Sequence, residues 1–309
     1  MDKIVGFLIT REEKKNLNID YFNRGLRLIE MNSGKYKIYI WGIGDISKCK
    51  IQRKYSLSFP LHDNLLDRNV FLSIEDDTIT VENDWLGSIP VFYNLKECII
   101  STIPNFCLKD KTIDKEGLLD FCEFGYSVFE QTIFKDIKFM RYYSRLIISD
   151  SGIKIEYKED PVLSETFLEK IYNEYETIDL IKSYISSIEF KIDGDIVIPT
   201  SGGYDSRLLN YLVNDKKRIR SFTYGISKDQ SKSYEVVHAK KISEILGTQW
   251  KQIELRDYLK YIDKWFEIYG FSTHLHGMYN IEFYTKILEN YKLINPSLLS
   301  GIIGDAWAG

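Results

Sequence analysis

The sequence predicts an α/β chain in two parts, a largely antiparallel β segment over residues 1–162 and a parallel-sheet segment over residues 163–309. Three observations carry this. The first half holds short runs rich in Ile, Val, Tyr and Phe, separated by turn residues. After about Asp160, long helical stretches alternate with short, wholly apolar runs, the pattern of a parallel sheet with helical crossovers. Where the first of those runs meets the next helix stands a glycine loop with two hydroxyls and a carboxylate, Ser201-Gly202-Gly203-Tyr204-Asp205-Ser206.

In the first half, residues 4–10, 36–41, 70–74, 78–82, 89–93, 146–149 and 153–157 read as strands. Asn32-Ser33-Gly34, Glu75-Asp76-Asp77 and Ser149-Asp150-Ser151-Gly152 supply turns, the last where a hairpin between the two late strands needs one. One helix interrupts. Asp114 caps it, Leu118, Leu119, Phe121 and Cys122 are expected to face inward, and Gly125 closes it in the left-handed conformation. In the second half, residues 165–190, 206–213, 233–246, 257–269 and 278–291 read as helices. Residues 195–200, 220–224, 249–255 and 296–300 read as strands, the last leading into Gly301-Ile302-Ile303-Gly304-Asp305. Val236, Ala239, Ile242 and Leu246 share one helical face, which is therefore expected to pack on the sheet.

The 309 residues give room for about two domains. An apolar content of 44% and an aromatic content of 14% belong to a globular chain rather than a disordered one. Lys and Arg total 41 against 45 Asp and Glu, a net charge of -4, so no global positive field draws nucleic acid or anionic lipid. No apolar run approaches the ~20 residues that span a bilayer, and Met1-Asp2-Lys3 opens no signal peptide, so a cytoplasmic protein without a membrane partner is expected. Cys49, Cys98, Cys107 and Cys122 form no CxxC pair and have no His at metal-ligand spacing, and are expected as buried free thiols in a reducing compartment.

The loop at 201–206 is the chemically informative segment. Adjacent glycines let backbone N–H groups converge on one point, and the following helix adds its positive end there. Such a cup binds phosphate oxygens. Ser201 and Ser206 can donate to the same anion, and a carboxylate beside a polyphosphate requires a hard cation between them, which assigns Asp205 to Mg²⁺. The plain alternative is a tight turn whose Ser and Asp cap the helix. The segment is not a Walker A loop, since no Lys follows the glycines. Three other groupings read as structural. His274 and His276 share a strand face without a third ligand. Trp265, Phe266, Tyr269 and Phe271 read as core rather than a stacking platform. The basic cluster Lys216, Lys217, Arg218 and Arg220 reads as a solvated helix end, remote from the glycine loop.

Ser201 to Ser206 resembles the pyrophosphate-binding loop of the ATP pyrophosphatases, and the surrounding text narrows the resemblance to the asparagine synthetase family. The second strand and its turn, Ser221-Phe222-Thr223-Tyr224-Gly225, are similar to that family's, as are Glu235 and Ala239 in the next helix and Leu246-Gly247-Thr248 at its end. Ser300-Gly301-Ile302-Ile303-Gly304-Asp305-Ala306 resembles the family's later S-G-x-G-x-D-E segment. Upstream, Asn83 to Tyr93, Phe124-Gly125-Tyr126 and Thr132 to Ile137 match patterns of its N-terminal domain.

The resemblance implies a degenerate, glutaminase-like N-terminal domain of the Ntn-hydrolase type and a PP-loop ATP pyrophosphatase domain. It also implies an amide-forming reaction with ATP and Mg²⁺, in which a carboxylate is adenylated with release of pyrophosphate and then opened by ammonia or another amine. Carried over by motif, Ser201, Gly202, Gly203, Ser206, Ser300, Gly301 and Gly304 hold ATP and its pyrophosphate, Asp205 and Asp305 hold Mg²⁺, and Thr223 lies near the adenine. The substrate implied is a small-molecule or peptide carboxylate, with aspartate the family default.

The sequence departs from the family in three places. Asp2 stands where glutamine-dependent members carry the nucleophilic Cys, so glutaminase activity is not expected and nitrogen comes from free ammonia, an amine substrate or a partner subunit. Ala306 replaces an acidic residue, and the apolar Ile302 precedes it. The sequence ends at Gly309, before the family's Lys that stabilises adenylation, so no catalytic residue is identified and the expected parallel-sheet domain is incomplete. Cyclases of the lasso-peptide or β-lactam type and amide-installing relatives of surface-polysaccharide pathways fit the same motifs. A non-catalytic nucleotide-binding or scaffolding protein is the rival from another class.

Overall fold

In the computed structural model, which describes residues 3–13, 25–51, 54–58, 69–75, 77–126, 128–160, 173–273 and 277–301, the β signals of the first half become two antiparallel sheets. The strands are β1 Lys3–Thr10, β2 Arg27–Ser33, β3 Tyr36–Ile43, β4 Lys50–Ile51, β5 Lys54–Ser58 and β6 Asn69–Glu75. They continue as β7 Thr78–Asn83, β8 Phe92–Asn94, β9 Ile99–Ser101, β10 Ile137–Phe139, β11 Ser144–Ser149 and β12 Gly152–Tyr157. One sheet has the order β10-β8-β9-β1-β3-β2 and the other β12-β11-β7-β6-β5-β4.

The two-residue period of a strand explains the layering. On β1, Phe7 and Ile9 enter a core shared with Ile38 and Ile40 of β3, Leu72 of β6 and Ile148 of β11, which joins the facing sides of both sheets. Leu8, between them, points the other way into a second cluster with Trp41, Phe92 and Cys107. The short helix α1, Pro104–Cys107, lies on that side.

Helix α2, Lys115–Phe124, has the predicted ends: Asp114 Oδ1 accepts from the Gly117 N–H at 3.0 Å, and Gly125 sits at φ 80°. Its orientation differs from expectation. Gly117 is the buried position, where a Cβ would lie 2.0 Å from the Thr132 carbonyl oxygen. The helix therefore docks by its glycine edge, which leaves Leu118 and Leu119 39% and 68% exposed, Cys122 exposed and Phe121 half-buried. Cys98 and Cys107 are buried, Cys49 is half-buried and no disulfide forms, so the expectation of buried thiols fails at Cys122. The run at 89–93 also pairs later than predicted, from Phe92, because Pro90 has no N–H to donate to a ladder.

The second half contains α3 Glu174–Lys191, β13 Ile196–Pro199, α4 Tyr204–Leu212, β14 Ile219–Thr223 and α5 Tyr234–Leu246. β15 Gln249–Gln252, α6 Ile262–Tyr269, α7 Tyr279–Asn290 and β16 Ser297–Leu298 follow. The four strands form a parallel sheet of order β15-β14-β13-β16. Val236, Ala239 and Ile242 of α5 are buried as predicted, and Gly247 ends that helix at φ 69°.

The chain divides into two compact units, Met1–Glu169 with Asp263–Leu275, and Lys170–Ile262 with His276–Gly309. The 263–275 segment, part of the second half by chain order, thus belongs to the first unit. There Phe271 packs edge-on against Phe92 and Phe134 at centroid distances of 6.3 and 4.9 Å, and Asn105 Nδ2 donates to the Phe266 carbonyl at 3.1 Å. Trp265 and Phe271 are core, whereas Phe266 and Tyr269 are 48% and 41% exposed. The boundary read at 162/163 falls among residues 161–172, outside the described residues. No described helix is long and apolar enough to cross a membrane.

Candidate functional site

Ile196, Val197 and Ile198 are buried between layers, and parallel pairing carries the carboxyl ends of β13, β14 and β16 to the same sheet edge. The chain leaves β13 toward β14 on one side, and β16 later fills the other side, so the loop after β13 sits where the strand order reverses. Tyr224–Gly225 follows β14 directly, and Ser201–Ser206 and Ser300–Gly301 follow β13 and β16 after one intervening residue.

Within the loop, the Ser201 N–H donates to Ser206 Oγ at 3.0 Å and the Gly203 N–H to Ser201 Oγ at 3.1 Å. The two hydroxyl oxygens are 3.2 Å apart. Gly203 is the N-cap of α4 and supplies no side-chain bond, so the first-turn N–H groups of the helix have no capping side chain. Asp205, half-buried on that first turn, has a carboxylate with no hydrogen bond or ion pair among the described residues.

Two glycines are dictated by close approach. A Cβ on Gly202 would lie 2.5 Å from Cε1 of Tyr234, whose ring stacks on His238 at a centroid distance of 3.9 Å. A Cβ on Gly301 would lie 2.9 Å from the Asp205 Cβ and 3.2 Å from the Ser206 nitrogen. The segment after β16 is thereby seated against the first turn of α4, and Ser201, Gly202, Gly203, Asp205, Ser206 and Gly301 come together. Ser300 directly precedes Gly301.

Thr223 is placed at the same edge but turned into the sheet. It is 3% exposed, its Oγ1 donates to the Thr200 carbonyl at 2.6 Å and accepts from Trp250 Nε1 at 3.0 Å, and its own carbonyl accepts from the Ile253 N–H at 2.8 Å. The chain that follows it at that edge is the Tyr224–Gly225 turn. Gly225 is tightly enclosed, and Gln230 holds that turn by donating to the Leu255 carbonyl at 2.6 Å and accepting its N–H at 3.1 Å. Asp2, His274, His276, Ile302, Gly304, Asp305 and Ala306 lie outside the described residues. No group of three or more His, Cys, Asp and Glu able to hold a metal occurs among the described residues.

Sequence reasoning missed the support beneath the loop. Asn210, fully buried, donates through Nδ2 to Thr200 Oγ1 at 2.9 Å and to the Ser206 carbonyl at 2.8 Å, and its Oδ1 accepts from Ser221 Oγ at 2.8 Å. This one amide ties α4 to the carboxyl end of β13 and to β14. Its signal was an amide in the apolar run Leu208-Leu209-Asn210-Tyr211-Leu212, one helical turn after Ser206. Arg207 and Tyr234 also contact the loop, through Gly202.

The basic cluster is remote from the loop, as expected, but it is not a solvated end. Lys216 Nζ donates to the carbonyls of Asn210 at 2.7 Å and Tyr211 at 2.6 Å, and to that of Val213, closing the carboxyl terminus of α4. Burial there lowers its pKa. Arg220 pairs with the buried Asp195 at 2.8 Å, and Arg218 bonds the carbonyl of Gly194 at 3.0 Å, leaving Lys217 exposed. Burial pushes the Glu189 carboxyl up, yet N–H donors of Asn214 and Asp215 at 2.8 and 2.7 Å outweigh it and hold its pKa below the usual carboxylate range. No family model matches the chain, and no curated protein matches it.

Proposed function

We propose that the second unit binds ATP and Mg²⁺ at the Ser201–Ser206 loop, and that the chain is an ATP-dependent, amide-forming ligase of the asparagine synthetase type. The observation that carries this is the seating of Gly301 on the first turn of α4, beside a glycine loop with no capping side chain and an Asp205 carboxylate that has no partner among the described residues. Open first-turn amides fit an anion. A carboxylate at the same point would oppose that anion unless a cation joined them, so the donor set fits Mg²⁺ with polyphosphate.

In this reading Gly202, Gly203 and the start of α4 orient the pyrophosphate, and Asp205 holds Mg²⁺, with Asp305 as the second ligand. Mg²⁺ supplies neutralisation of the charge that builds on the departing pyrophosphate. A carboxylate oxygen of the substrate forms a bond to the α-phosphorus as the bond to pyrophosphate breaks. The amine nitrogen then attacks the acyl carbon, AMP leaves and the nitrogen loses a proton. Asp2 has no thiolate to attack glutamine, so the nitrogen enters as ammonia or as an amine.

The test is calorimetry of Mg²⁺-ATP with the 309-residue chain and with D205A, followed by ATP–pyrophosphate exchange over a panel of carboxylates that includes amino-bearing ones. Binding lost in D205A, with exchange stimulated by one carboxylate class, is the expected result. An amino-bearing carboxylate that cyclises points to the cyclase form of the same chemistry. Binding without exchange for any carboxylate refutes the ligase and leaves a nucleotide-binding protein, and no binding by the folded parent refutes both.

A further inference from the structure

The proposed pyrophosphate site is assembled from neutral donors and a carboxylate, while a polyphosphate brings several negative charges. Among the described residues, one cationic side chain contacts the loop. Arg207 Nη2 donates to the Gly202 carbonyl at 3.0 Å, its guanidinium carbon lies 5.0 Å from the centre of the Tyr204 ring, and its buried Nε has no hydrogen-bond partner among the described residues. Arg220 and Arg256 in the same unit pair with Asp195 and Glu254, whereas among the described residues no carboxylate neutralises Arg207.

We infer that Arg207 is a positioning residue for the polyphosphate, a fixed positive charge that also sets the direction of the Gly202–Gly203 peptide. This rests on the nucleotide reading above. The Gly202 carbonyl and the Gly203 N–H belong to one planar peptide, so a guanidinium holding the first fixes the second, which points to Ser201 Oγ at 3.1 Å. A peptide between two glycines turns over easily when nothing grips it. A guanidinium suits the task because its planar fork of donors can hold a carbonyl while its cation lies over an aromatic ring, here Tyr204 at 5.0 Å. The charge acts from one peptide away, and among the described residues no carboxylate takes it up.

The experiment is calorimetry of the full chain, R207Q and R207K against Mg²⁺-ATP, inorganic pyrophosphate and adenosine, at two ionic strengths, with a thermal melt of each protein. R207Q is expected to weaken ATP and pyrophosphate about tenfold. Adenosine binding stays unchanged, the salt dependence becomes shallower, and R207K recovers most of the loss. Equal loss for adenosine, or R207K as weak as R207Q, overturns the charge role. If R207Q binds ATP and pyrophosphate as tightly as the parent, the inference falls and the nucleotide reading stands. If the folded parent binds neither, the reading beneath it has failed.

Discussion

Replacing Asn210 with Ala removes three hydrogen bonds at once, to Thr200 Oγ1, to the Ser206 carbonyl and from Ser221 Oγ. The partners do not suffer equally. Thr200 Oγ1 still donates to the Ile198 carbonyl at 3.0 Å, and the Ser206 carbonyl keeps its helical environment, but the Ser221 hydroxyl, 1% exposed, is left without its acceptor. At about 1 kcal/mol for each net bond, N210A should cost about 3 kcal/mol, roughly a hundredfold in the folding equilibrium. S221A alone orphans the Asn210 oxygen and should cost about 1–2 kcal/mol. In the double variant no hydroxyl remains to be stranded, so its cost should fall short of the summed singles by about 1 kcal/mol. Urea unfolding followed by far-ultraviolet circular dichroism reads all three, with the denaturant slope required to stay constant. A cost for N210A below about 1 kcal/mol, or a cycle that closes additively, would refute the view that this amide clamps the loop to the sheet.

Gly202→Ala should destabilise the chain by about 1–3 kcal/mol, because the new methyl meets the Tyr234 ring. Adding Tyr234→Ala should recover most of that loss in a thermal melt; a G202A cost that persists in the pair would mean the backbone, not the ring, sets the requirement. Glu282 is fully buried; burial pushes its carboxyl up, but Lys286 at 2.6 Å and the N–H groups of Arg256 at 2.9 Å and Asp257 at 3.2 Å prevail, and its pKa lies below the usual range. The stability it lends is present above the unfolded value of about 4.3 and is lost as pH falls through the lower folded value. The gap between the parent and E282Q should therefore be widest near neutrality and close in acid, as read by urea titrations at several pH values. A gap that widens in acid would reverse the assigned sign.

The parallel sheet was legible in the sequence because its β13 strand is the apolar run Ile196-Val197-Ile198 set between helical stretches, and because Gly247 closes its helix with φ 69°. The glycine loop was legible because Gly202 has no room for a Cβ. Other features depended on partners distant in the chain. β2 is an outer strand with Arg27, Glu30 and Asn32 along it, and β9 and β10 have three residues each, too few to show a period. Helix α2 illustrates the deeper limit. Periodicity named an apolar face at Leu118 and Leu119, yet the contact is made by Gly117, whose lack of a side chain carries no hydropathy signal. At the site, the role of Asn210 is not legible because its partner Ser221 is met only once β14 pairs with β13, and that of Arg207 because its contact is to a backbone carbonyl, Gly202, which carries no residue-type signal.

The return of residues 263–275 to the first unit has a consequence for the order in which the chain can mature. During synthesis the first unit emerges early, but Phe271, which Phe92 and Phe134 enclose, has yet to be made. Until the ribosome has passed residue 275 that aromatic side of the β layers stays wet, and the strands beneath it wait on a closure spanning most of the second unit's sequence. The amino-terminal unit thus begins first and is completed late, and a nascent chain halted before Phe271 would display Phe92 and Phe134 to whatever chaperones attend it.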